Sequence, residues 1–126
     1  MTLNEFIAYC NSKPGTSETY PFGDHAVWFK IGGKAFAWTF VKPFKFEEGV
    51  ADPFTFINLK CEPSLAEELR QGYPAVIPGW HQNKKYWNSV FMDGTLTDQK
   101  IKFWIDHSYE TVLSGLPKRE QEAIVY

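Results

Sequence analysis

The sequence predicts a two-layer α+β domain, a mainly antiparallel five-stranded sheet with helices packed on one face, in the order α-βββ-α-ββ-α. Three observations carry this. Gly32-Gly33 separates two β-prone runs, Ala26 to Ile31 and Lys34 to Val41, at the two-residue spacing of a tight hairpin. Tyr86 to Met92 is rich in aromatic and β-branched residues and stops at Asp93-Gly94, as a strand ending in a turn does. Elsewhere, apolar residues recur at helical spacing behind capping signals.

Thr2-Leu3-Asn4-Glu5 has the form of a capping box, and Leu3, Phe6, Ile7 and Cys10 give the helix behind it one apolar face before Pro14-Gly15 ends it. Gly15 to Asp24 reads as a loop carrying Tyr20-Pro21-Phe22-Gly23. A regular hairpin around Gly32-Gly33 sets Phe29 opposite Phe36 and Val27 opposite Trp38, with those four residues on the buried face. Trp28, Lys30, Ala35, Ala37 and Thr39 then fall on the face more open to solvent. Pro43 closes the hairpin, and Glu47-Glu48-Gly49 reads as a mobile loop.

Phe54 to Lys60 is the third strand. Pro63, Ser64 and Glu67 signal a helix start, Leu65, Ala66 and Leu69 face inward, and Gly72 stops the helix. Pro74 and the pair Pro78-Gly79 restrict the next piece to a short extended segment, followed by the strand at 86 to 92. Thr97 caps a helix whose buried stripe is Ile101, Trp104, Ile105, Val112 and Leu113, with a break expected near Ser108. Gly115-Leu116-Pro117 then turns into a last short helix.

At 126 residues the chain fits one domain, and 17% aromatic with 22% charged residues marks a folding sequence. No run is apolar enough to span a bilayer and no signal-peptide layout is visible, so a cytoplasmic monomer away from membranes is expected, with Cys10 and Cys61 reduced. The three histidines and two cysteines match no zinc spacing, and no cofactor is implied. Neighbouring Asp106, His107 and Ser108 point in different directions around a helix and cannot act as a triad. No enzymatic activity is expected.

Net charge is −2, which opposes nucleic-acid binding by bulk charge. The basic residues are nevertheless segregated. His25 to Phe46 contains four lysines and no acid, and Leu69 to Met92 contains Arg70, Lys84 and Lys85 and no acid.

Several segments resemble the MmcQ/YjbR family: Tyr9-Cys10 within Phe6 to Pro14; Pro21-Phe22-Gly23; Phe29 to Ala37; Ile57-Asn58-Leu59-Lys60-Cys61; Tyr73 to Gly79 followed by Asn83-Lys84-Lys85 and Trp87-Asn88; and Ile105 to Tyr109. They run through nearly the whole chain in order. The resemblance implies a fold similar to type III secretion chaperones and DNA binding through a double-wing arrangement. The candidate nucleic-acid residues are Lys30 and Lys34 beside the hairpin turn and Trp80, His81, Lys84 and Lys85 in the loop, where lysines would neutralise phosphates and aromatic rings would stack on bases. The plainer reading makes the lysines solvated turn residues and has Tyr86 and Trp87 alternate across a strand, one of them in the core. The alternative function is a protein-interaction or small-ligand module with no nucleic-acid role.

Overall fold

The computed structural model describes residues 1–46 and 49–125. In chain order the elements are α1 (Leu3–Asn11), β1 (Ser17–Thr19), β2 (Ala26–Ile31), β3 (Lys34–Phe40), β4 (Phe44–Phe46), β5 (Gly49–Ala51), β6 (Phe56–Lys60), α2 (Pro63–Gly72), β7 (Val76–Pro78), β8 (Trp87–Phe91), α3 (Asp98–Ser114) and α4 (Lys118–Val125). The five expected strands are all present. A sixth, β1, joins the edge of an antiparallel sheet ordered β1-β2-β3-β6-β8-β7, and β4 and β5 form a separate hairpin. Glu47 and Glu48 of the expected mobile loop lie outside the described residues, while Gly49 opens β5.

Local chemistry explains the helix ends. Thr2 and Glu5 form the reciprocal capping box, and Thr97 accepts the Lys100 N–H. Glu62 caps α2, its carboxylate accepting the Ser64 and Leu65 N–H groups, with Pro63 following where its missing N–H costs nothing. Helix α3 runs unbroken through Ser108, contrary to the expected interruption. The Ser108 hydroxyl is buried and lies 2.7 Å from the Phe36 carbonyl and 2.6 Å from the Lys60 carbonyl. A polar residue in mid-helix therefore ties α3 to β3 and β6 instead of ending it.

The hairpin register corrects the expected faces. Ile31 pairs with Lys34 and Lys30 with Ala35, but Phe29 then pairs with Ala37, Trp28 with Trp38 and Val27 with Thr39. Phe36 is the extra residue of a β-bulge, and one inserted residue reverses the alternation beyond it. Val27, Phe29 and Phe36 are buried against the helices as expected. Trp38 moves to the opposite face, and Ala37 and Thr39 leave the open face for the buried one, each 0% exposed.

Both faces of the sheet are covered, by different means. Phe6 and Cys10 of α1 and Ile101, Trp104, Ile105, Tyr109 and Val112 of α3 pack on one side. The other side carries Ala26, Trp38, Phe40, Phe56 and Trp87, with Trp28, Phe44, Ala51 and Trp80 packed against them. That helix-free face is closed by the β4–β5 hairpin and the loop after β7.

Candidate nucleic-acid interface

The loop between β7 and β8 is held close to the strand it precedes. Gly79 donates its N–H to the Trp87 carbonyl at 2.8 Å. A Cβ at Gly79 would lie 2.9 Å from that carbonyl oxygen and 2.7 Å from the Trp87 Cβ, so only glycine permits this approach. Arg70 of α2 fastens the far end. Its Nε donates to Asn88 Oδ1 at 2.6 Å, and its Nη2 donates to the Trp87 carbonyl at 3.1 Å and to the Lys84 carbonyl. The Asn88 amide in turn donates to the Ala66 carbonyl at 3.3 Å, linking the loop anchor back to α2. Composition alone marks Arg70 only as a cation in an acid-free stretch; the fork geometry that makes it a loop clamp needs the tertiary contacts.

Within the loop, the residues expected to act together divide. The ammonium of Lys84 donates to the Gly79 carbonyl at 2.9 Å, bracing the turn. Trp80 is half-buried, its ring 5.6 Å from Phe40 and from Phe56, and His81 stacks on it at 4.0 Å. His81 is exposed and has φ +51°, a left-handed conformation that aims its ring back over the indole. Lys85 is exposed, its Nζ 5.5 Å from the centre of the Tyr86 ring.

Lys60, at the end of β6, is the residue that sequence reasoning did not select. Its Nζ lies 5.6 Å from the Tyr86 ring and 5.4 Å from the Trp87 ring, so two lysines share one exposed tyrosine. Its pKa is lowered, first by desolvation and then by the positive charge of Lys34. Lys34 opens β3. The antiparallel register places the end of β2, the start of β3, the end of β6 and the start of β8 at one end of the sheet. Lys30 and Lys34 are therefore brought to the same end as Lys60, Lys85 and Tyr86. No described carboxylate forms an ion pair with any of these lysines. A groove of about 280 Å³, lined by Pro63, Ser64, Glu67, Arg70 and Lys85, opens beside them.

The hairpin turn itself is not a free tip. A Cβ at Gly32 would meet Leu116 Cδ1 at 2.7 Å, so this turn residue sits against the α3–α4 junction, and only Gly33 faces open space.

The other reactive side chains are engaged elsewhere. Asp106 accepts the Tyr9 hydroxyl at 2.6 Å and pairs with Lys13, while His107 Nε2 faces the Thr111 hydroxyl at 3.2 Å. His25 stacks on Phe44 at 4.8 Å. Burial raises the Cys10 thiol pKa strongly and that of Cys61 to about 11. Among the described residues no three His, Cys, Asp or Glu side chains gather as metal ligands, and no helix is long and apolar enough to cross a membrane.

Comparison with known proteins decides the family. The YjbR family model matches residues 11–111. The chain belongs to the YjbR family. It is 34% identical to YjbR of Escherichia coli K12 over 125 residues, covering 99% of this chain and 98% of that one. YbdF of Escherichia coli O157:H7 is 36% identical over 105 residues, 83% of this chain and 79% of the relative. Among solved structures, the crystal structure of the Deinococcus radiodurans protein DR2400 superposes with a TM-score of 0.82 at 30% identity, covering 98% of this chain and 87% of the other. A crystal structure from Pseudomonas syringae gives a TM-score of 0.70 at 26% identity, with coverage of 88% and 98%.

Proposed function

We propose that this YjbR-family protein is a non-catalytic nucleic-acid-binding domain that holds DNA weakly at the sheet end that carries Lys34 and where Lys60 and Lys85 flank Tyr86. The observation that carries the reading is that Lys60 and Lys85 both lie against the exposed Tyr86 ring, with Lys34 at the same end of the sheet and no ion pair to a described carboxylate. Lysines neutralise phosphates, and a tyrosine between two of them gives a base a surface on which to stack. Lys30 lies at the same sheet end and extends the basic rim. Lys84, Trp80 and His81 shape the loop that presents Lys85. The net charge of −2 keeps attraction local and the affinity low.

The test is a titration of labelled single-stranded DNA across a salt series. Three phosphate contacts predict that log K falls with log salt at a slope near −2, and the Lys60→Ala, Lys85→Ala double variant should flatten it by more than one unit. No binding at low salt, or binding that the double variant leaves unchanged, rejects the interface.

A second reading, protein interaction, is favoured by one separate observation. Phe103 on α3 is 68% exposed, and grooves of about 430 Å³ and 390 Å³ flank it, with Lys100 and Lys102 on their walls. Such contacts would show little of the salt dependence that counterion release imposes on DNA binding.

A further inference from the structure

A lateral row of residues crosses all six strands on the helix-free face: Thr19, Trp28, Trp38, Asn58, Ser89 and Ile77. Its middle holds three buried N–H donors with no acceptor among the described residues, Trp28 Nε1, Trp38 Nε1 and Asn58 Nδ2. Trp38 is 3% exposed and Asn58 0%. The two indoles stack in parallel, 4.7 Å between centres and 8° between planes. The other end of the Asn58 amide is occupied. Ser89 donates its hydroxyl proton to Asn58 Oδ1 at 2.6 Å and accepts the Trp80 N–H at 2.8 Å, which leaves Nδ2 as the open end.

Buried donors ordinarily have partners, and elsewhere in the sheet they do. Thr39 of β3 and Asn88 of β8, both buried, make hydrogen bonds, as does the buried Ser108 of α3. Among the described residues, the remaining buried side-chain polar atom without a partner, Thr16 Oγ1, lies before β1 and outside this row. The orphans are therefore concentrated, they share one sign, and they lie among aromatic planes. What complements them is a planar ring with oxygen acceptors.

We infer that this row is a base-reading site of the interface proposed above, and that it takes an oxo-pyrimidine, thymine or uracil, from a single strand whose phosphates lie on Lys34, Lys60 and Lys85. The inference rests on the nucleic-acid reading. The two regions are joined through one side chain: Lys60 Nζ lies over the Trp87 ring, and that ring meets Trp28 edge-on at 6.5 Å. Entry is at the Trp28 end. Trp28 is half-buried, and the ring leaning on it at 5.4 Å belongs to Phe22, which is 68% exposed and can leave by changing rotamer. Cytosine is rejected because it places an amino donor where thymine has O4, and a donor facing donors leaves both unpaired.

The experiment compares fluorescein-labelled dT10 with dC10 at one low salt concentration, alongside ¹H–¹⁵N spectra of the indole N–H groups, which Trp28→Phe and Trp38→Phe variants assign. The expected result is about tenfold tighter binding of dT10, with the Trp28 and Trp38 indole resonances shifting downfield on dT10 alone. Trp38→Phe, which keeps a ring and loses the donor, should bring dT10 close to the dC10 affinity. The comparison of oligonucleotides on the unaltered protein holds even if that variant folds poorly. Equal binding of dT10 and dC10 with those resonances unmoved overturns the base site while leaving the lysine interface standing. Absence of binding to both overturns the interface and the base site together.

Discussion

Truncating Phe36 to alanine tests the packing of the helix-side face of the sheet, and a companion variant tests the bulge that assigns residues to that face. Phe36 is 0% exposed, and its ring meets Tyr109 edge-on at 5.5 Å and Phe29 at 6.4 Å. Removing a buried phenylalanine costs about 3–5 kcal/mol, and two lost ring contacts of ~0.5–1.5 kcal/mol each place this site toward the upper end, about 4–5 kcal/mol. With an unfolding entropy of about 2.1 cal/mol/K per residue over 126 residues, the melting temperature should fall by roughly 15–19 °C. Urea denaturation followed by tryptophan fluorescence gives the free energy, and a calorimetric scan gives the shift. Ala37→Lys is the companion variant. In an unbulged hairpin Ala37 would share the face of Trp28 and Lys30 and accept a lysine readily. In the observed register it is 0% exposed beneath the helices, and an ammonium there should cost at least about 3 kcal/mol. A loss below about 1 kcal/mol for Phe36→Ala would refute the burial of that face, and an Ala37→Lys variant within about 0.5 kcal/mol of the parent would refute the bulge.

Gly32→Ala should destabilise by about 1–3 kcal/mol while Gly33→Ala costs less, since both have positive φ but only Gly32 has Leu116 against it; paired thermal melts check the difference. Arg70→Met should cost about 2–4 kcal/mol and weaken DNA binding without removing any phosphate contact, because the loop presenting Lys85 loses its clamp; the check is affinity measured at a temperature where the variant is still folded. The Cys61 thiol, ordinarily near 9.0, is raised to about 11, so the native protein resists ionisation that the unfolded chain accepts. Stability from this group is complete below pH 9 and is lost as pH rises from 9 to 11, and a series of urea midpoints across that range should fall. At pH 8 a thiol reagent should find neither cysteine in the native protein and both after unfolding without reductant.

How much of this was legible beforehand can be followed residue by residue. The capping box at Thr2, the Gly32-Gly33 turn, the cap at Thr97 and the strand ending at Asp93-Gly94 depend on neighbours within four positions, and local chemistry determines them. The candidate lysines at 30, 34, 84 and 85 could be found because acids are missing around them. Lys60 could not, since it stands next to Cys61-Glu62, and only pairing of β6 with β3 and β8 carries it to Tyr86 and Lys34. Lys84 and Trp80 looked equivalent to Lys85 in sequence, and only the folded loop turns one inward onto a carbonyl and the other into an aromatic cluster.

The sequence by itself determined the α+β class, the helix ends, the main hairpin and membership of a basic, aromatic loop in the surface. The tertiary structure decided the rest: the bulge at Phe36, the short edge strand β1, the separate β4–β5 hairpin and the row of donors at Trp28, Trp38 and Asn58. The physical reason is one of range. Caps and two-residue turns are satisfied within a few residues, whereas a bulge is chosen by what must be buried on either side of a strand. Which of two alternating faces receives Trp38 depends on helices and loops far away in the chain.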